Sequence, residues 1–109
     1  MIRVLVVDDH ELVCSGITRM LADNPDFDVI GQSSSGEDAI EFVRKDRPDV
    51  VLMDIRMPGI GGLEATRRIL RIDDTIRVIV VTACADDPYP ARVMQSGASA
   101  YVTKGADIR

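Results

Sequence analysis

Short apolar runs alternate with stretches of helical periodicity along this chain, and that alternation limits the fold more than any other feature. Val4-Leu5-Val6-Val7 is closed by Asp8-Asp9, and from Leu12 to Leu21 apolar residues fall at 12, 13, 17, 20 and 21, a helical spacing. Asn24-Pro25-Asp26 turns into a second strand, Phe27 to Ser33, after which Ser35-Gly36-Glu37 opens a helix through Ala39, Ile40 and Val43 to a break at Pro48. Asp49 to Met53 reads as a third strand. Pro58 to Gly62 is a glycine-rich connection, and Leu63, Thr66, Ile69 and Leu70 mark a third helix. Arg77 to Val81 is a fourth strand ending on Thr82. Asp86-Asp87-Pro88 has the acid and the proline of a helix start, Gly97 is its stop, and Ala100 to Thr103 is a short fifth strand.

Strands that are apolar in both side-chain directions are covered on both faces, so the pattern predicts an α/β fold with a parallel sheet between helices. At 109 residues there is room for one domain. The count is one helix short, because Asp107-Ile108-Arg109 stands where a fifth helix would begin. The expectation is therefore a single domain over 1–109, truncated at its C-terminus, with one sheet face lacking part of its cover.

Thirteen Lys and Arg against eighteen Asp and Glu give a formal charge of −5, which argues against a phosphate-backbone footprint for DNA or RNA and favours proteins or cations as partners. Two cysteines, Cys14 and Cys84, make no disulfide framework and carry no histidine at metal spacing. The N-terminus lacks the regions of a signal peptide and no apolar run has membrane-spanning length, so the chain reads as soluble and cytoplasmic.

Within this pattern the stretch Val50-Val51-Leu52-Met53-Asp54 ends a buried strand on a carboxylate. Burying a lone carboxylate is costly unless a cation or hydrogen-bond donors meet it. In an open parallel sheet, ligands bind beyond the carboxyl ends of the strands. At that end the sequence collects Asp8 and Asp9 after strand one, Asp54 after strand three, Thr82 after strand four and Lys104 after strand five. If strands one and three are neighbours, three carboxylates converge and repel one another unless a divalent cation lies among them, and an oxygen-only set points to Mg²⁺. Such a site suits nucleophilic attack by a carboxylate on a phosphoryl group, with Asp54 as acceptor, Lys104 as a point charge on a phosphoryl oxygen and Thr82 as a mobile hydroxyl.

Each residue also has a plainer reading. Asp8 with Glu11 has helix-capping spacing, Thr82 suits a strand, a loop lysine is usually solvated, and Tyr101 could simply pack. His10, the only histidine, is expected to lie exposed in the first helical turn without a catalytic role, and Cys14 to fall off the helix's apolar stripe. Independent plain causes would rarely place all the candidates at one end of the sheet.

These residues resemble the receiver domain of two-component response regulators. The resemblance lies in "VLVVDDHELV", "VVLMDIRMPGIGGLEATRRI", "VIVVTA" and "GASAYVTKGA", in order and across essentially the whole chain. It is similar above all to the GacA and UvrY type, within the group carrying a LuxR-type helix-turn-helix output domain, which this chain does not contain. The resemblance implies a flavodoxin-like, CheY-like three-layer fold with strand order 2-1-3-4-5. It implies that Asp54 accepts a phosphoryl group from a sensor histidine kinase and that Asp8, Asp9 and Asp54, with the backbone carbonyl of Arg56, hold Mg²⁺. Thr82 and Tyr101 would be the switch pair and Lys104 the phosphate contact. The output would be transcription regulation through the DNA-binding domain, with a second copy of the chain as a candidate partner. The chain would be no enzyme beyond catalysing its own phosphorylation and dephosphorylation.

Other classes fit less well. A flavodoxin needs a phosphate-binding loop where Asp8-Asp9 would repel the flavin phosphate, and the dehalogenase-type phosphatases resemble Asp-x-Asp, where this chain has His10 as the third residue. A pseudo-receiver that binds proteins without phosphorylation is the alternative reading, though no acidic, Thr or Lys position is lost.

Overall fold

The computed structural model describes residues 1–55, 57–82 and 95–103, with the backbone alone at Thr82, Tyr101 and Thr103. Its elements are β1 (Ile2–Val7), α1 (Glu11–Ala22), β2 (Phe27–Ser33), α2 (Gly36–Lys45), β3 (Val50–Asp54), α3 (Gly61–Ile72), β4 (Arg77–Thr82) and β5 (Ala100–Thr103). All neighbouring strands pair in parallel, in the order β2-β1-β3-β4-β5. The expected three-layer fold and strand order are thus present. The helix expected from Asp86 lies outside the described residues apart from its end, where Gly97 adopts φ +99°, the left-handed conformation that ends helices.

The two-sided character of the strands shows directly in the packing. Leu5, Val7, Val51, Met53, Val78 and Val80 face Ala39, Ile40 and Val43 of α2 and Ala65 and Ile69 of α3. Alternate residues Val4, Val6, Val50 and Leu52 face the other way, onto Cys14, Ile17 and Leu21 of α1. Ser35 caps α2 by accepting from the Asp38 amide at 3.1 Å, and Asn24 braces the turn before β2 by accepting from the Asp26 amide at 2.9 Å.

Helix α1 turns differently from the expected stripe. Leu12 is 88% and Met20 63% exposed, whereas Cys14 is buried at 4%. At about 100° per residue, positions 14, 17 and 21 fall together, while 12 lies opposite them and 20 about a quarter-turn to the side. The five apolar residues therefore do not share one face, and a cysteine supplies the inward position. Leu12→Gln is expected to change stability by less than about 0.5 kcal/mol. Ile69→Ala, which empties a fully buried site, is expected to cost about 2–5 kcal/mol. Urea unfolding midpoints of the two variants would check this contrast.

On the α1 side, among the described residues, an apolar groove of about 370 Å³ is lined by Ile2, Val4, Leu21, Phe27, Val50, Leu52 and Ile79. Also among the described residues, no helix is long and apolar enough to cross a membrane.

Ion pairs fasten the end of the sheet where β1 begins. The Arg3 guanidinium pairs with Asp46 and donates to the Arg47 carbonyl at 2.8 Å, while its backbone amide donates to Asp49 at 2.9 Å. Arg47 reaches Asp73 at 3.2 Å, joining the α2–β3 and α3–β4 links. The Thr75 hydroxyl and amide both donate to Asp73, which with Arg47 hold its carboxyl below the usual carboxylate range. A carboxylate with a depressed folded pKa contributes stability that is present above its unfolded pKa and lost as pH falls through the folded value. The stability difference between wild type and Asp73→Asn is accordingly expected to hold near neutrality and to vanish under acid conditions. Urea titrations at a series of pH values would read it.

Candidate functional site: an acidic mouth at the carboxyl end of the sheet

Parallel pairing of β1 with β3 sets Val7 opposite Met53, so the residues that follow them, Asp8 and Asp54, emerge side by side. Both are buried, at 3% and 5% exposure, while Asp9 and His10 are exposed. The Asp8 amide donates to the Ser33 carbonyl at 3.0 Å, tying this turn to the end of β2. Carboxylate oxygens of Asp8, Asp9 and Asp54 and a ring nitrogen of His10 all lie within 4.8 Å of one another. At such separations each pair of ionised carboxylates repels by roughly 3 kcal/mol at an effective dielectric constant near 20, and a divalent cation among them would relieve that repulsion.

Asp8 does not act as a helix cap. Its carboxylate accepts from the His10 amide at 2.9 Å, and His10 itself is the N-cap residue of α1, with no side-chain capping bond. The His10 ring turns instead to the acids, with Nδ1 3.3 Å from Asp8 and 3.0 Å from Asp9. Cys14 Sγ donates to the Asp8 carbonyl at 3.3 Å from beneath the turn.

Asp54 is fixed from the α3 side as well. The Gly62 amide donates to the Ile55 carbonyl at 3.0 Å, and a Cβ on Gly62 would collide with the Asp54 carbonyl oxygen. Only glycine lets α3 start so close to the strand that carries Asp54. The buried Thr66 hydroxyl donates to the Gly62 carbonyl at 2.8 Å, which secures that first turn.

Of the residues expected at the site, Asp8, Asp9 and Asp54 are brought together. Thr82 ends β4 one residue beyond Val81, the partner of Asp54, and Tyr101 lies in β5 opposite Val80, both as backbone positions. Arg56 and Lys104 lie outside the described residues. His10 and Gly62 are contributions that the sequence reading missed. For His10 the available signal was a histidine at a helix start, where Ser, Thr, Asp or Asn would cap. For Gly62 nothing in the local pattern distinguishes a close approach from an ordinary loop glycine.

Residues 4–109 match the response regulator receiver domain family. The chain belongs to that family. This receiver is 60% identical over 108 residues to the response regulator GacA of Pseudomonas aeruginosa, covering 99% of the chain and 50% of the relative. It is 54% identical over 106 residues to UvrY of Escherichia coli K12, covering 97% and 49%. Among solved structures, a LuxR-family two-component response regulator from Aurantimonas superposes with a TM-score of 0.93 at 34% identity, covering 98% of this chain and 76% of that one. The receiver spans about half the length of the curated relatives it matches. The expected kinship with GacA and UvrY is thereby met.

Proposed function

We propose that this receiver takes a phosphoryl group onto Asp54 from a phosphohistidine of a sensor kinase, and that the resulting change of surface governs a C-terminal helix-turn-helix DNA-binding domain of the full-length protein. The observation that carries this reading is the convergence of Asp8, Asp9 and Asp54 at the mouth between β1 and β3 in a member of the receiver family. In the transfer, a lone pair on an Asp54 oxygen forms the O–P bond while the N–P bond of phosphohistidine breaks, returning its electron pair to the imidazole.

The donor set fits Mg²⁺, since it is rich in carboxylate oxygens that repel one another when ionised. Asp8, Asp9 and Asp54, with the Arg56 backbone carbonyl, would hold the ion, which when bound supplies charge neutralisation for the transferring group. Lys104 contacts a phosphoryl oxygen, and Thr82 and Tyr101 respond to the attached group as the switch pair. The domain works as a cytoplasmic signalling phosphoacceptor that catalyses only its own phosphorylation and dephosphorylation. Its partners are the kinase and a second copy of the chain, and it binds no nucleic acid itself.

The test is intact mass after incubation with acetyl phosphate, with Mg²⁺ or with EDTA. A gain of one hydroxylamine-sensitive phosphoryl group, seen only with Mg²⁺, is expected. No gain in a folded sample would leave a protein-binding module that does not use phosphorylation.

A further inference from the structure

The role of His10 goes beyond the family reading. Its backbone amide is held by the Asp8 carboxylate at 2.9 Å, which pins the residue beside the cluster. Its side chain makes no helix cap, although it occupies the position where a cap would act. The ring is 69% exposed and so has room to adjust, while the Asp8 side chain beside it is 2% exposed and fixed. Donor atoms around an ion at about 2.0–2.2 Å stand no more than about 4.4 Å apart. The span of 4.8 Å thus closes with shifts of a few tenths of an ångström, which the exposed members, Asp9 and His10, can supply.

Resting on the cation-binding reading above, we infer that His10 is a nitrogen ligand of this site and turns its selectivity toward borderline divalent ions such as Co²⁺. Carboxylates alone suit Mg²⁺, a hard ion that keeps its waters and gains little from imidazole. An imidazole nitrogen added to the same carboxylates favours the later first-row metals, for which it is a preferred donor. One residue beside the acidic pair would thereby alter which divalent ions compete with Mg²⁺ for the site.

His10 is the chain's only histidine, so the measurement is direct on protein without a polyhistidine tag. Co²⁺ and Mg²⁺ affinities would be measured on wild type and His10→Ala, and the His10 ring signals followed by NMR during the Co²⁺ titration. The expected result is paramagnetically shifted ring signals at one equivalent of Co²⁺. His10→Ala should lose about tenfold or more in Co²⁺ affinity, on the scale of even a supporting ligand contact, with Mg²⁺ affinity changed by less than about twofold. Equal Co²⁺ affinity in the two proteins, ring signals left in place, or a thiolate-to-cobalt absorption band would overturn the inference while leaving the Mg²⁺ site intact. Absence of any divalent binding by folded wild type would overturn the cation-site reading and this inference together.

Discussion

Asp54→Asn is expected to abolish phosphoryl uptake from acetyl phosphate entirely and, in metal-free buffer, to melt at a higher temperature than wild type. The first effect follows because an amide oxygen is no nucleophile for phosphoryl transfer, and no other carboxylate of the cluster ends β3. The second follows from the geometry of the cluster. Asp54 is 5% exposed and shares a span of 4.8 Å with Asp8 and Asp9, so neutralising it removes two repulsive pairs. Relaxation, solvent and the other interactions that Asp54 makes leave only part of the gross Coulomb energy, and a net gain of roughly 1–2 kcal/mol is expected. For a domain of this size that corresponds to a melting point higher by about 5–10 °C. Saturating Mg²⁺ should reverse the order, because wild type gains about 2.7 kcal/mol at one hundred times its dissociation constant, while a site with one carboxylate fewer gains less. Thermal melts of both proteins in EDTA and in Mg²⁺ provide the check. A lower melting point for Asp54→Asn in EDTA would mean that other partners of Asp54 outweigh the repulsion.

Gly62→Ala carries the second large effect, and it acts through the backbone. The new methyl group would meet the Asp54 carbonyl oxygen and stand 2.9 Å from the Ile55 Cα, neither of which can rotate away as a side-chain tip would. Alanine's better helix propensity, about 1 kcal/mol, works in the other direction. A net loss of roughly 1–3 kcal/mol is expected, on the scale of overpacking in a core. Because relief requires α3 or the end of β3 to shift, Asp54 should move relative to Asp8. A displacement near 1 Å can lower a transfer rate by about 100-fold, so phosphorylation should slow far more than the loss of folded protein explains. Rates measured well below the melting temperature separate the two contributions. A variant that melts early but phosphorylates at the wild-type rate would show that α3 yields without moving Asp54.

Periodicity alone determined a good deal about this protein. Apolar runs at Val4–Val7, Val50–Met53 and Val78–Val81 had to be two-sided strands, since both side-chain directions avoid water, and the placement of α2 and α3 followed from residues such as Ala39, Val43, Thr66 and Ile69. With parallel strands, the position of Asp8, Asp9 and Asp54 at one end of the sheet was legible too, because a parallel sheet puts every strand's carboxyl end on the same side. Periodicity does not say which strands are neighbours, and that order came from family resemblance before the fold displayed it.

What only the tertiary structure decided are matters of rotation and approach. Leu12 and Met20 have the hydrophobicity of core residues, but the angle at which α1 meets the sheet points Cys14 inward and leaves them in water. His10 looks like an ordinary residue of a first helical turn until the pairing of β1 with β3 brings Asp54 beside the acids its ring touches. Gly62 is one glycine among several in its loop until α3 settles against the Asp54 carbonyl. A sequence records the preferences of each residue along its own segment. Contacts between segments depend on how separate elements pack, and that is fixed only when the whole core closes.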